Sequence, residues 1–321
     1  VLAAAREREA VDVECGSIRE AVAEADTVVV AAPVGMLPEA VAESLDAAAH
    51  DCVVTDVGST KRAIVAATHD ERFVGGHPLA GAETAGVQHA RADLFDAATW
   101  YLTPTGTTSG LLYERLHRTI AALGAQPAAI DAADHDRILA AVSHLPHVLA
   151  NVLVAQAGEA LPTGAEHLPA TGPSFRDATR VAGANSAIWS DIYLSNADAL
   201  AERIDGAIAR LAGVRDLLRG RDRAGVTAWN DAAAADRRSL LEAGLAGGAV
   251  HELRVSVPNR PGVVARVALE LGRAGVNIVD MALHPAPDMS EGVIALWVAG
   301  DREADRAAEL IGALDLPVAR A

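Results

Sequence analysis

The feature that most constrains the fold is a set of short, unbroken β-branched runs alternating with helical patterns. Asp26-Thr-Val-Val-Val-Ala-Ala-Pro33, Cys52-Val-Val-Thr-Asp56, Arg72-Phe-Val-Gly-Gly76 and Thr99-Trp-Tyr-Leu-Thr103 are four such runs. Helical spacing occupies Ile18–Ala25, Met36–Ala49 and Lys61–Thr68 between them. Strands apolar on both faces and separated by helices predict a parallel sheet covered on both sides. Ligands of such sheets bind beyond the carboxyl ends of the strands. Those ends are Pro33-Val34, Gly58-Ser59 and His77-Pro78, so the pattern brings them to one crevice.

A dinucleotide-binding sheet of the Rossmann type opens with strand, GxGxxG, helix, strand and acidic residue. No GxGxxG occurs in the 321 residues. Leu2–Glu9 has the pattern of the helix that follows the second strand. The expectation is therefore an α/β chain whose residues 1–105 form an incomplete Rossmann-type parallel sheet, with the pyrophosphate turn and ribose-binding acid upstream of Val1. Residues 106–247 are Ala-rich and read as an all-helical domain. Asp134 is the expected N-cap of a long helix through His147 to about Gln156, kinked at Pro146. Further helices read at Ser186–Leu218 and Thr227–Leu245, and Gly244-Leu-Ala-Gly-Gly248 reads as a linker. Residues 248–321 change period. Strand Val250–Val257, turn Asn259-Arg-Pro-Gly262, helix Val263–Ala274, strands Asn277–Leu283 and Gly292–Val298, helix Arg302–Leu314 and a short strand at Val318-Ala-Arg320 give the order βαββαβ, a ferredoxin-like domain.

Charge narrows the partners. Lys and Arg number 27 against 43 Asp and Glu, a net −16, and aromatics make up 3%. An acidic field with few stacking side chains disfavours nucleic acid and anionic membranes. Lys61 is the only lysine. Cys15 and Cys52 lack CxxC spacing, which points to a reducing, cytoplasmic compartment. No uninterrupted apolar run reaches the ~20 residues of a membrane span, and the opening residues lack a signal-peptide core. HExxH is absent and the histidines are scattered, so no metal site is expected.

Three segments carry candidate chemistry. In Phe73-Val-Gly-Gly-His-Pro-Leu-Ala-Gly-Ala-Glu83 a lone histidine ends a buried strand among glycines. There it can accept a proton near neutral pH, or simply be a loop histidine bonded to backbone. Ser143-His-Leu-Pro-His147 sets Ser143 and His147 at i and i+4 on one helix face; a capping or surface histidine is the alternative. Gly172-Pro-Ser-Phe-Arg-Asp-Ala-Thr-Arg180…Trp189 places Arg176 and Arg180 at i and i+4. An arginine offers a bidentate fork to a carboxylate, and a solvated surface arginine is the usual alternative.

With Asp56-Val-Gly-Ser59-Thr-Lys61 and Leu94-Phe95…Leu102-Thr-Pro104, these segments resemble the prephenate/arogenate dehydrogenases of tyrosine biosynthesis, over residue 1 to roughly residue 215. Residues 248–321, through Pro258-Asn-Arg-Pro-Gly262 and Gly275-Val-Asn-Ile278, resemble an ACT domain. The resemblance implies oxidative decarboxylation of prephenate to 4-hydroxyphenylpyruvate with NAD or NADP, or the same reaction on arogenate. It implies His77 as the base with Ser59 beside it. Ser143, His147, Arg180, Glu83 and Trp189 would bind substrate, and Pro33, Val34 and Ser59 the cofactor. Arg176 and His144 are left as structural. Asn259, Pro261, Gly262, Asn277 and Ile278 would hold a tyrosine or phenylalanine effector, and the chain would form a homodimer. Two departures stand out. Ala82 occupies a position where many relatives carry Ser or Thr, and the glycine-rich turn is missing. The second leaves open a cofactor-deficient chain that only senses an amino acid.

Overall fold

The computed structural model describes residues 2–81, 86–160, 171–242, 250–286 and 290–320. The chain opens with helices α1 (Leu2–Glu7) and α2 (Ile18–Val22), the latter capped by the Ser17 side chain accepting from the Glu20 N–H. There follow β1 (Thr27–Val30), α3 (Leu37–Ala47), β2 (Val53–Asp56), α4 (Arg62–Ala66), β3 (Phe73–Pro78), β4 (Thr99–Thr103), α5 (Gly110–Ala122) and β5 (Gln126–Ala129). The five strands form one sheet in the order β1-β2-β3-β4-β5. Pairs β1–β2, β2–β3 and β4–β5 are parallel, but β3 and β4 are antiparallel, with Gly75 opposite Thr103 and His77 opposite Tyr101. The all-parallel expectation is corrected there. Only a short 3-10 turn, Val87–His89, lies in the described part of the β3–β4 connection, and a parallel return needs a crossover element.

The sheet also runs past residue 105. Strand β5 pairs with β4, so α5 and β5 belong to the first domain rather than to the helical block. Its sequence, Gln-Pro-Ala-Ala, lacks the β-branched signature and carries a proline, which hides it from pattern reading.

The helical block holds α6 (Ala132–Leu139), α7 (Leu145–Glu159), α8 (Pro173–Thr179), α9 (Ser186–Ser195), α10 (Ala197–Arg219) and α11 (Arg223–Glu242). The cap of α6 is Asp131, which accepts from the N–H groups of Ala133 and Asp134, not Asp134 as expected. The expected kink at Pro146 takes the form of a π segment, Ala140–His144, joining α6 to α7. The wider turn accommodates a ring that would meet the carbonyl of Val142 in a regular helix. Helices α9 and α10 were expected as one; they break at Asn196 (φ −120°, ψ 28°). The run Ala132–Glu159 is long and apolar enough, by length and composition, to cross a membrane. Its His135 and Asp136 are instead buried. Val142, Leu153, Leu194, Leu211, Leu218 and Trp229 of the block are exposed, an apolar surface of the kind that marks association. The expected linker Gly244–Gly248 lies outside the described residues.

The last section forms β6 (Val250–Pro258), α12 (Val263–Arg273), β7 (Ile278–Pro285), β8 (Glu291–Ala299), α13 (Asp301–Gly312) and β9 (Val318–Arg320). The sheet order is β7-β8-β6-β9, all antiparallel. Leu253, Val255 and Val257 are buried and alternate with Arg254 and Ser256, the period-two pattern of a sheet covered on one face. This section shares a continuous core with the first sheet: Trp100, Leu112, Leu116 and Ile120 cluster with Val264, Leu271, Met281 and Leu296. Glycine makes the contact possible at two points. Gly262 has φ +82°, and a Cβ there would overlap the Gly106 carbonyl; a Cβ on Gly272 would overlap the Ala129 carbonyl at the end of β5.

Two predictions follow from this seam. Gly272→Ala forces α12 off β5, and thermal melts should show a loss of about 1–3 kcal/mol; an unchanged melting curve would remove the seam's close packing from the account. Buried His117, on α5, is pushed down to about 4 by burial against the charge of Asp280. Burial likewise takes His144 to about 4, against Asp136. The unfolded imidazoles bind protons near pH 6.5 and the folded ones do not until about pH 4. Stability should therefore fall as pH drops through that window, by about 3 kcal/mol from His117 alone. Denaturant titrations between pH 7 and pH 4.5 should show the slope, flattened in His117→Phe.

Candidate active site

His77 is the penultimate residue of β3, and the residue before it is held from both sides. The Gly76 N–H donates to Asp56 Oδ1 at 3.1 Å, and the Gly76 carbonyl accepts from Lys61 Nζ at 2.6 Å. Lys61 Nζ also pairs with Asp56 Oδ2, and both side chains are fully buried. The chain's only lysine is thus an internal strut. Burial pulls its pKa down, and the Asp56 carboxylate opposes that pull. A Cβ on Gly76 would lie 2.7 Å from Thr55 Oγ1 and 3.0 Å from Trp100 Nε1. Glycine is therefore the residue that lets β3 lie so close to its neighbours.

His77 is 8% exposed, and its Nδ1 lies 2.8 Å from His135 Nε2. His135 Nδ1 lies 2.8 Å from Asp136 Oδ1. Asp136 also accepts the backbone N–H groups of Lys61 at 2.7 Å and Arg62 at 2.9 Å, so it caps α4 from another domain. Burial would raise the Asp136 pKa, but the bonds from His135, Arg62 and Lys61 outweigh it and hold the carboxyl below its ordinary value. An ionised carboxylate only accepts, so His135 Nδ1 carries the proton and His135 Nε2 is the acceptor. His77 Nδ1–H donates to it. This order of donors assigns the lone pair of His77 to Nε2. Burial, then the neighbouring His135, Lys61 and His144, push the His77 pKa well below 6.5, so the imidazole is neutral near pH 7. Tyr101 meets the His135 ring edge-on at 5.6 Å between centroids.

A second group adjoins the relay. Asn196, buried at the α9–α10 break, donates from Nδ2 to the Asp136 carbonyl at 2.7 Å and lies 3.2 Å from His144 Nδ1. His144 meets Trp189 edge-on at 6.2 Å, and Trp189 stacks on His147 at 3.5 Å between centroids. His147 and Trp189 line a cavity of about 190 Å³ with Gly183, Ala184 and Tyr193. His77 and His147 are therefore ends of one chain of contacts inside a single subunit. Ser143 is half-buried within the π segment. Arg180 is exposed at the C-terminal cap of α8, three residues before Gly183.

At the crevice, β1 and β2 end side by side. Val34 and Ser59 are half-exposed there, and Pro33 is exposed. Gly35 approaches Asp191 of α9, and Thr60 Oγ1 shares a 3.0 Å hydrogen bond with Ser195 Oγ, so the helical block closes on the strand ends. The rim of this crevice is apolar, with Val34 half-exposed and Met36 62% exposed. Glu83 lies outside the described residues.

The expected effector set is divided. Asn259 and Pro261 line a cavity at the carboxyl end of β6, and Gly262 N–H donates to the Thr108 carbonyl at 3.1 Å. Asn277 and Ile278 stand at the start of β7, with Ile278 buried. A β-α-β crossover returns parallel to its first strand, so the turn after β6 and the start of β7 fall at opposite ends of the sheet. Within one chain they cannot form one site.

His135, Asp136 and Asn196 were not picked out from sequence. In Asp134-His135-Asp136 only Asp134 is singled out, as the expected N-cap. The signal available was periodicity, since His135 and Asp136 share the inward face with Leu139 and Ala140.

A mostly parallel sheet whose strand ends form a crevice closed by a helical block is the layout of a two-domain α/β dehydrogenase. Residues 1–128 match the prephenate dehydrogenase nucleotide-binding domain, residues 131–229 the prephenate dehydrogenase dimerization domain, and residues 251–310 the ACT domain. The prephenate dehydrogenase of Bacillus subtilis (strain 168) is 30% identical over 315 residues, which is 94% of this chain and 84% of that one. Prephenate dehydrogenase from Aquifex aeolicus, solved with hydroxyphenyl propionate and NAD+, superposes with a TM-score of 0.69 at 26% identity, covering 74% of this chain and 85% of that one. Synechocystis arogenate dehydrogenase gives 0.64 at 25% identity, over 74% and 87%. The chain belongs to the prephenate dehydrogenase family.

Asp136→Asn tests the relay. Loss of the carboxylate's charge should depress the His77 pKa further, so the acid limb of kcat/KM moves to lower pH while its plateau falls. A purely structural Asp136 would lower the melting temperature and leave that limb in place.

Proposed function

We propose that this chain oxidises prephenate to 4-hydroxyphenylpyruvate with NAD or NADP, and that His77 is the base. The observation that carries the reading is the relay His77–His135–Asp136, which leaves a neutral imidazole with its lone pair on Nε2 at a strand end. NAD or NADP, which Pro33, Val34 and Ser59 would help to hold, would supply the acceptor for the hydride on the ring carbon that bears the hydroxyl. His77 Nε2 takes the hydroxyl proton as that C–H bond breaks. The new positive charge on His77 is shared along the hydrogen bond to His135 and compensated by Asp136. Ser59 bonds the same hydroxyl or holds His77 in place. Loss of the ring carboxylate as CO2 makes the ring aromatic, so the step does not reverse. Pro33, Val34 and Ser59 face the cofactor.

Arg180 anchors a substrate carboxylate, with Ser143 and His147 fixing its orientation and Trp189 forming an apolar wall through its stack on His147. The substrate is a dianion and the chain carries a net −16, so the site needs a local cation. Arogenate is the second reading, favoured by the similarity to the Synechocystis enzyme; kcat/KM for the two substrates decides between them. The exposed apolar side chains of the helical block fall in the match to a dimerization domain, and a second copy of the chain covers them. The ACT section takes tyrosine or phenylalanine as effector, and the enzyme works in the cytoplasm.

His77→Asn should lower turnover at saturating substrate by about 10²–10⁴-fold, the usual contribution of a general base. Turnover within a few-fold of wild type would remove the assignment. Arg180→Ala should act mainly on KM, raising it by on the order of tenfold to a hundredfold, as expected when a charged hydrogen bond worth ~1.5–3 kcal/mol is lost. The acid limb of the wild-type kcat/KM profile should lie below pH 6.5, because the pKa of His77 is depressed.

A further inference from the structure

Helix α9 presents different chemistry to two sides. Trp189 and Tyr193, one turn apart, line the cavity beside His147. Asp191 lies between them in sequence and, at about 100° per residue, on the other side of the helix. There it meets the sheet domain just after β1, at the 3-10 turn Val34–Met36. Its charged end is the part that faces this turn. A Cβ built on Gly35 would lie 3.4 Å from Asp191 Oδ2, 3.6 Å from Cγ and 3.9 Å from Oδ1. With glycine at 35, no side chain from that position covers the carboxylate.

The helix that carries Asp191 is fixed at both ends. The Asn185 side chain accepts from the Ala187 and Ile188 N–H groups at 3.0 and 3.3 Å. At the other end Ser195 Oγ bonds Thr60 Oγ1, and Asn196 donates to the Asp136 carbonyl. Asp191 itself is half-buried, yet among the described residues it has no hydrogen-bond or ion-pair partner. Desolvating a carboxylate without donors is unfavourable, so the position calls for a ligand that brings positive charge or donors. Of the two ligands of the proposed reaction, the substrate is a dianion and does not meet that demand. The oxidised nicotinamide ring is a cation and does. The unpartnered carboxylate and the uncovered side of Gly35 fit such a group. The proposed hydride transfer takes place beside His77, and β3 lies only two strand spacings, about 10 Å, from β1.

We propose that Asp191 is a cofactor-binding residue that selects the oxidised form, its carboxylate serving as the counter-charge of the nicotinamide ring. The inference rests on reading the strand-end crevice as the cofactor site. It adds a group from the helical block to a crevice otherwise built from the sheet domain. Asp191 attracts the ring before hydride transfer, when the ring is cationic, and not afterwards, when it is neutral. The same side chain therefore favours binding of the oxidised cofactor and release of the reduced one.

The test is the ratio of dissociation constants for reduced and oxidised cofactor. It is measured on the full chain by calorimetry and by reduced-nicotinamide fluorescence, for NAD+ with NADH and for NADP+ with NADPH. Asp191→Asn keeps the shape and removes the charge. It should raise the Kd of the oxidised form about tenfold or more, the scale of attraction between opposite charges near a protein surface. The Kd of the reduced form should stay within about twofold. Asp191→Ala, which also lacks the charge, should shift the ratio in the same direction. Asp216→Asn removes an equal charge about 30 Å along α10 from Asn196, and should leave the ratio in place. If the wild type binds cofactor and the Asp191 variants keep its ratio, or Asp216→Asn shifts it as much, the Asp191 assignment is wrong while the crevice reading stands. If the wild type binds neither form of either cofactor, the crevice reading falls and Asp191 with it.

Discussion

Asp136 is the interaction on which the site depends. Its carboxylate is almost wholly buried and accepts three hydrogen bonds, two from the backbone at the start of α4 and one from His135. The first two tie the helical block to the sheet domain. The third sets the tautomer of His135 and, through it, that of His77. One ionised group therefore decides how two domains sit and which nitrogen of His77 carries the lone pair. A buried carboxylate left without those donors would be strongly unfavourable, so the domain contact and the relay form together or not at all.

The pair Asp56–Lys61 plays the corresponding part on the other side of His77. It holds the N–H and the carbonyl of Gly76, and the same lysine's charge helps keep the imidazole neutral. Buried pairs of this kind contribute little net stability. Their use here is geometric. Two of the charges nearest His77 are pinned to backbone atoms and to each other, so the electrostatic environment of its imidazole is set before any ligand arrives.

Much of this was legible in the sequence because it obeys local rules. Unbroken β-branched runs announced the parallel part of the sheet, and alternation announced the ACT strands. His77, Ser143 and His147 stood out through glycine context and helical spacing. What stayed hidden depends on contacts between distant segments. Strand β5 is Gln-Pro-Ala-Ala, and only pairing with β4 makes it a strand. His135 looks like a solvated residue until the first domain covers it. The division of the effector set follows from strand direction, which a string of residues does not display. The shared core around Trp100 and Leu271 was equally invisible, since each half of it reads as an ordinary amphipathic element.

On the proposed reaction, the charge distribution explains why base and anchor are separate groups. Several exposed arginines pair with neighbouring acids, as in Arg137–Asp134 and Arg320–Asp301, and the only lysine is internal. A base that begins neutral offers a dianionic substrate no attraction. A cationic base would attract it, but could not take the hydroxyl proton. Separating the tasks resolves the conflict: a desolvated, relayed imidazole on the sheet domain keeps its lone pair, and a guanidinium on the helical block supplies the charge. On the proposed reaction, the contact of Asp136 with the start of α4 holds the two domains that carry these groups in register.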